Sequence, residues 1–331
     1  MQSTLAQPAP AARARFAEGF GPRFFLTVDT EEEFDWSRPF DRDLHTLAHI
    51  PRLAKFQEFC ENERVRPIYL VDYPVASSTL AADLLRDAVQ AGRADVGLQL
   101  HPWVNPPHDE DVNERNSYAG NLPRETEAAK IAALRDRIEE AFGLAPLIYR
   151  AGRYGLGRDT GAILKHEGIA IDTSVRALFD YAGAGGPDYS AHPLHPYWHD
   201  AERELLELPL TTVWSGLLRK QGAILYPRLW RRPELRGVLA RLGLLERIPL
   251  TPEGISVDEA IRAIDIALDD GLELLVLSFH SPSLQPGHTP YVQSEDDLDA
   301  LYGWWRAIFA YLRARGVADA SVAEIMDAVQ R

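Results

Sequence analysis

Cysteine is nearly absent: the 331 residues contain one, Cys60, inside a run with helical spacing. A disulfide framework is therefore excluded, and a single thiol fits a reducing cytosol. Basic charge is also scarce. The balance of 35 Lys and Arg against 49 Asp and Glu, 35 − 49 = −14, argues against a nucleic-acid surface, which needs basic patches. Long apolar runs are missing too. Runs such as LELLVLSF at 272–279 are the length of a buried strand and too short to span a bilayer. The opening MQSTLAQPAPAARARFAEGFGPR holds no continuous apolar stretch of signal-peptide length. Residues 1–22 read as a flexible, partly ordered lead-in, and the expected location is cytoplasmic.

What is present is an ordinary globular composition, 46% hydrophobic and 25% charged, enough to build a sizeable core. Short apolar runs alternate with amphipathic ones. Strands are expected at 24–29, 67–72, 94–101, 146–152, 169–175, 272–280 and less clearly at 204–211. Helices are expected after His45, at 79–92, 123–143, 159–168, 256–271 and 296–316, several of them ending at a glycine. Such alternation means parallel strands joined by crossover helices. About seven repeats favour a closed or nearly closed barrel over an open sheet, so the expected fold is α/β, a distorted (β/α)7 TIM-like barrel forming one domain over 23–331. The long segments 102–122 and 176–203 follow strand ends, where barrels build their active sites.

The strands end in ionisable side chains: Asp29 (followed by Glu31, Glu32, Glu33 and Asp35), Asp72, His101, Arg150, Asp172 and His280. In a parallel barrel these tips share one face, where neighbouring charges shift one another's pKa values. Asp72 alone is explained by helix capping; Arg150 and His280 are not favoured caps. It is the set that points to a site. A solvated loop accounts for the acidic run 31–35, but Phe34 and Trp36 interrupt it as a sugar platform would. Trp103 is a similar candidate. His108 reads as a loop histidine. For the HPLHPYWH run at 192–199, substrate contact or packing is favoured over metal binding.

Several of these stretches resemble the motifs of the polysaccharide deacetylases, carbohydrate esterase family 4. LTVDTEEEFDW (26–36) is similar to the family's first motif, DVGLQLHPWVNPP (95–107) to its second, YRAGRYG (149–155) to its third, IDTSV (171–175) to its fourth and LSFHSPSLQPGHTPY (277–291) to its fifth. The first two look like variants from a bacterial subgroup associated with exopolysaccharide and the cell envelope. The resemblance implies a hydrolase that N-deacetylates a sugar in a polysaccharide or its precursor. Asp29 would be the general base, held by Arg150. His280 would be the general acid, paired with Asp172, and the backbone N–H near Tyr154 an oxyanion donor. A divalent metal, zinc in the family, would polarise the acetyl carbonyl. The sequence departs from the family at the metal site. Thr30 stands where the second Asp belongs, Gln99 where the first His falls, and Trp103 where the second follows. Glu31 and His101 are left as the expected ligands. A metal-poor amide or imide hydrolase on the same fold, and an inactive carbohydrate-binding homologue, are the competing readings.

Overall fold

A computed structural model describes residues 3–229 and 232–331. Its strands are β1 (Arg23–Thr30), β2 (Pro67–Val71), β3 (Asp95–Leu100), β4 (Ile148–Ala151), β5 (Ile171–Asp172), β6 (Tyr197–Trp198), β7 (Leu206–Glu207), β8 (Thr212–Ser215), β9 (Glu246–Pro249), β10 (Leu274–His280) and β11 (Ala318–Asp319). Its helices are α1 (Arg52–Glu63), α2 (Tyr73–Ser77), α3 (Thr79–Gln90), α4 (Arg124–Phe142), α5 (Thr160–His166), α6 (Gly222–Leu229), α7 (Pro233–Arg241), α8 (Val257–Asp269), α9 (Glu295–Ala314) and α10 (Val322–Ala328). The helices expected from sequence periodicity form within a few residues of their expected bounds, except that the one expected after His45 begins only at Arg52. The stretch 212–255, to which no element was assigned from the sequence, forms the antiparallel β8–β9 pair with α6 and α7 between its strands.

The main sheet runs β10-β1-β2-β3-β4-β5-β7-β6, with β11 added beside β1. Pairing is parallel from β10 to β7, and only β6 is antiparallel. The sheet curls into a nearly closed barrel. Between β7 and β10 the gap is crossed by residues 208–211: the N–H of Leu208 donates to Asp172 O (2.8 Å), Leu210 N–H to Val175 O (2.9 Å) and Thr211 N–H to Val276 O (3.2 Å).

Strand alternation divides the sheet into two faces. Phe24, Leu26 and Val28, with Leu275, Leu277 and Phe279, pack outward against the helices in one large cluster. Phe25, Ile68, Leu70, Ile148, Ile171, Leu206 and Val276 turn inward and form a separate apolar floor. The terminal segments close that floor from below. Phe16 bridges Val329, Arg13 bridges Tyr197, and Ala14 and Phe16 are buried among the inward residues. Residues 3–22, read from the sequence as a lead-in, thus contribute to the core. Above the floor the same inward rows become polar, as at Thr27 and Asp29 on β1 and Ser278 and His280 on β10. The barrel mouth is therefore charged because the strands run from apolar base to polar tip.

One loop is pinned by a buried cation. Lys130 of α4 is fully buried, and its Nζ donates to the carbonyls of Pro102 (3.0 Å), Asn105 (2.5 Å) and Pro107 (2.6 Å) and pairs with Glu110 (3.0 Å). These bonds satisfy the ammonium and hold the segment after β3 against the mouth. Gly97 of β3 has no room for a side chain: a Cβ there would lie 2.5 Å from Ile148 Cγ2 and 2.7 Å from Leu70 Cδ2. Gly97→Ala is expected to cost about 1–3 kcal/mol by overpacking the floor, measured by urea unfolding. An unchanged midpoint would contradict the packing described.

Candidate active site

The centre of the mouth is an ion pair. Arg150 on β4 and Asp29 on β1 are both almost wholly buried, and Arg150 Nη1 bonds to Asp29 Oδ1. The remaining guanidinium donors are also used: Nε on Thr173 O (3.0 Å), Nη2 on Thr27 Oγ1 (2.9 Å) and Thr173 Oγ1 (3.3 Å), and Nη1 on Ser278 Oγ (3.3 Å). A buried guanidinium has no alternative to such a full complement. Asp29 Oδ2 lies 3.6 Å from Nε2 of His280 on the neighbouring strand, whose register places the two residues side by side. The structure thus brings together Asp29, Arg150 and His280, three residues separated by up to 251 positions.

The partner of His280 is different from the one expected. Its Nδ1 lies 2.7 Å from Glu253 Oε2, and its backbone N–H donates to Glu253 Oε1 (3.1 Å). Asp172 instead pairs with His199 and lies beside Glu207. The pleat explains this correction. Ile171 faces the barrel floor, so its neighbour Asp172 faces outward. It is Thr173, the next inward position, that reaches Arg150. Burial would depress the His280 imidazolium, but the charges of Glu253, Glu31 and Asp29 outweigh it and lift its pKa to about 10. With Nδ1–H given to Glu253, the Nε2 proton points at the cavity.

The three glutamates of the acidic run after β1 are not solvated, whereas Asp35 is exposed. Glu31, Glu32 and Glu33 are all buried, each with its own partners. Glu31 lines the cavity; Gln99 Nε2 donates to its Oε2 (2.8 Å), and His101 Nε2 is 3.3 Å from the same oxygen. Glu32 turns behind the wall. Its Oε2 meets His101 Nδ1 (2.7 Å), its Oε1 accepts from Trp103 Nε1 (2.8 Å), and its own N–H donates to Asp72 Oδ2 (2.6 Å). Burial opposes ionisation of Glu32, yet His101 and Asp72 hold its pKa at about 2. Burial and the Glu32 charge push Asp72 well above the usual range. Asp72 also caps α2 by accepting from Val75 N–H (2.8 Å), as its sequence position suggested. Glu33 accepts from His49 and Ala48, and the other His49 nitrogen meets Ser281 Oγ at 2.7 Å. This ties the turn after β1 to the turn after β10.

The aromatic candidates separate. Trp36 is 57% exposed, lines the cavity and packs edge-on against Phe34 and Phe40. Trp103, expected as a platform, is only 2% exposed and stacks on His101 at 4.4 Å; its indole braces a histidine and has no face left for a sugar. Tyr154 lines the cavity, and both it and Arg153 have left-handed backbone (φ 59° and 55°) in the turn after β4. Such strain concentrates at functional turns. The cavity holds about 220 Å³ and is completed by Tyr118, Arg176 and Tyr181. Glu253 was missed because it sits in a short loop before α8 with no motif around it; a carboxylate 27 residues before the strand-end histidine was the only signal.

No family model matches the chain, and no curated protein matches it. Solved structures do match. A protein described as a polysaccharide deacetylase from Mycobacterium smegmatis is 17% identical, with 95% of this chain and 98% of that one covered and a TM-score of 0.47. A family 4 carbohydrate esterase from Streptomyces lividans is 11% identical over 91% and 93% (TM-score 0.43). A GH57 branching enzyme from Thermococcus kodakaraensis is 13% identical over 93% and 71% (TM-score 0.50). At these identities the likeness is one of fold.

Glu253→Gln removes the main charge that raises His280. Because the folded-state pKa is lifted above 6.5, the protonated histidine stabilises the fold at low pH, and that contribution fades as pH rises through about 10. The variant should therefore titrate His280 at a lower pH and lose stability below it, read from the imidazole proton shifts by NMR. An unmoved midpoint would show that Glu253 does not govern His280.

Proposed function

We propose that the chain is a hydrolase of carbon–nitrogen bonds that removes the acetyl group from an N-acetylated sugar in a polysaccharide or its precursor. The observation that carries this reading is a carboxylate and an imidazolium, Asp29 and His280, facing one cavity and each fixed by a buried partner of opposite charge. Amide hydrolysis needs an activated water, a stabilised oxyanion and a proton for a poor leaving group. Asp29, with Oδ1 committed to Arg150, has Oδ2 free to take a proton from water. His280 carries a proton on Nε2 that can pass to the departing amine, and Glu253 stabilises the charged ring until it does. The left-handed turn at Arg153–Tyr154 is the candidate source of backbone N–H donors for the acetyl oxygen. Trp36 offers an exposed ring on which a sugar face can stack.

The cavity wall also suits a divalent metal. Glu31 Oε2 and His101 Nε2 are 3.3 Å apart, the separation of two ligands on one ion. Glu32 fixes the far nitrogen of that histidine, as outer-shell carboxylates do for metal-bound imidazoles. Gln99 Oε1 is buried with no hydrogen-bond partner among the described residues, so rotation of its amide would add a third ligand. Glu31, His101 and Gln99 would hold the ion, which would polarise the acetyl carbonyl and its attacking water. Thr30 takes no part, since its hydroxyl donates to Val28 O (2.9 Å).

One contact favours a second reading, a metal-poor amide hydrolase: the Gln99 amide already satisfies Glu31 at 2.8 Å. Chelation separates the two, because an activity lost to a chelator and restored by a divalent ion belongs to the first reading and an activity indifferent to it to the second. On N-acetylglucosamine oligosaccharides, Asp29→Asn is expected to lower kcat/KM by ~10²–10⁴-fold, and His280→Ala to lower kcat by a similar factor with little change in KM. Both variants are compared at a temperature where they are folded. A fully active Asp29→Asn protein would refute the hydrolase reading.

A further inference from the structure

The outer face of the sheet, away from the catalytic cavity, carries a second cluster of ligand-type side chains. Alternation turns Asp172 of β5 and Glu207 of β7 outward, since Ile171, Leu206 and Leu208 face the floor. Register sets Asp172 beside Glu207, and Glu207 beside Tyr197 of β6. His199, two residues past Tyr197, falls on the same face. Its Nε2 lies 3.0 Å from Glu207 Oε2 and 3.6 Å from Asp172 Oδ2. The three ligand atoms all lie within 4.8 Å of one another.

The carboxylates are prepared from behind. Asp172 Oδ1 accepts from Ser174 N–H (3.0 Å) and from the Ser174 hydroxyl, and Glu207 Oε1 accepts from Val175 N–H (3.0 Å). Each therefore presents its second oxygen to the histidine. Hydrogen bonds that fix one carboxylate oxygen and aim the other are the usual support of metal ligands. An independent feature points the same way. Asp172 Oδ2, the oxygen aimed into the cluster, is fully buried and has no hydrogen-bond partner among the described residues. The hydroxyls of Tyr149 and Tyr197, both within the field of Asp172, and both ring nitrogens of His192 are likewise buried and unpartnered there.

We propose that Asp172, His199 and Glu207 form a second site, for a divalent transition-metal ion of the zinc class, that clamps the last strands of the barrel. Two carboxylates and a neutral imidazole give the donor set and the charge of −2 that such an ion takes. His199 lines two surface clefts, one of about 270 Å³ between the N-terminal segment and the turn at 200–203 and one of about 260 Å³ between that turn and α5, which offer an approach from solvent. The strands joined, β5, β6 and β7, are each two residues long, so ladder bonds alone hold them weakly.

The test is a cobalt(II) titration of metal-free, full-length protein, followed by visible absorption and by thermal unfolding. Glu31→Gln/His101→Ala removes the cavity-side ligands and should still bind one equivalent of Co²⁺, with a raised unfolding temperature. Adding His199→Asn to that protein should abolish both effects. If the triple variant does not fold, Glu207→Gln in the cavity-variant background replaces it, with weakened Co²⁺ binding expected. Absence of Co²⁺ binding in the cavity variant, or binding indifferent to His199 and Glu207, would overturn the proposal. Because no readout is enzymatic, failure of the hydrolase reading leaves this result intact.

Discussion

A single buried guanidinium organises the barrel mouth. Arg150 is wholly buried, so its donors recruit partners from three parts of the chain: Thr27 and Asp29 on β1, Thr173 after β5 and Ser278 on β10. Removing one partner from a buried pair of this kind typically costs about 3–5 kcal/mol, since the other charge is left stranded. The pair therefore fixes the Asp29 carboxylate and also the spacing of the strands around it. His280 depends on that spacing, because its approach to Asp29 follows from the β1–β10 register alone.

Around this centre the protein accommodates a large excess of acid by giving its buried carboxylates hydrogen-bonding or cationic partners. Three consecutive glutamates diverge into three environments: Glu31 to the cavity, Glu32 to His101 and Trp103, and Glu33 to His49. A run of like charge would otherwise repel itself in a medium of low dielectric. Burial raises the pKa of an acid, and here it is outweighed for Glu32 by the His101 charge and hydrogen bonds from its neighbours, and for Glu33 by hydrogen bonds from His49, Thr46 and the Ala48 backbone, so that both are held at about 2. Where the cation is shared between two acids, as His199 is between Asp172 and Glu207, the outcome reverses and Glu207 rises to about 8.

Much of this arrangement was legible in the sequence. Strand and helix periods located the repeats, and the ionisable strand tips named Asp29, Arg150, His101 and His280 before any coordinates. What failed did so for specific physical reasons. Asp172 also ends a strand, but a two-residue strand gives no alternation from which to tell inward from outward, and the inward position proved to be Thr173. Glu253 approaches His280 from a loop, where no period links position to direction. Trp103 carries the composition of a sugar platform, yet its indole N–H is spent on Glu32 beneath the surface. The β8–β9 pair lay in a stretch whose strands are short and whose partners are separated by two helices. Tertiary contact, not local pattern, decided each of these.

The central claim is that Asp29 and His280 act as one unit, and a double-mutant cycle on turnover addresses it most directly. Asp29→Asn, His280→Gln and the double variant would be assayed together on one N-acetylated oligosaccharide. The account predicts strong non-additivity, with the double variant scarcely slower than the worse single one, as groups serving the same step behave. Losses that multiply would mean that the two residues work independently, and the shared-cavity mechanism would be wrong.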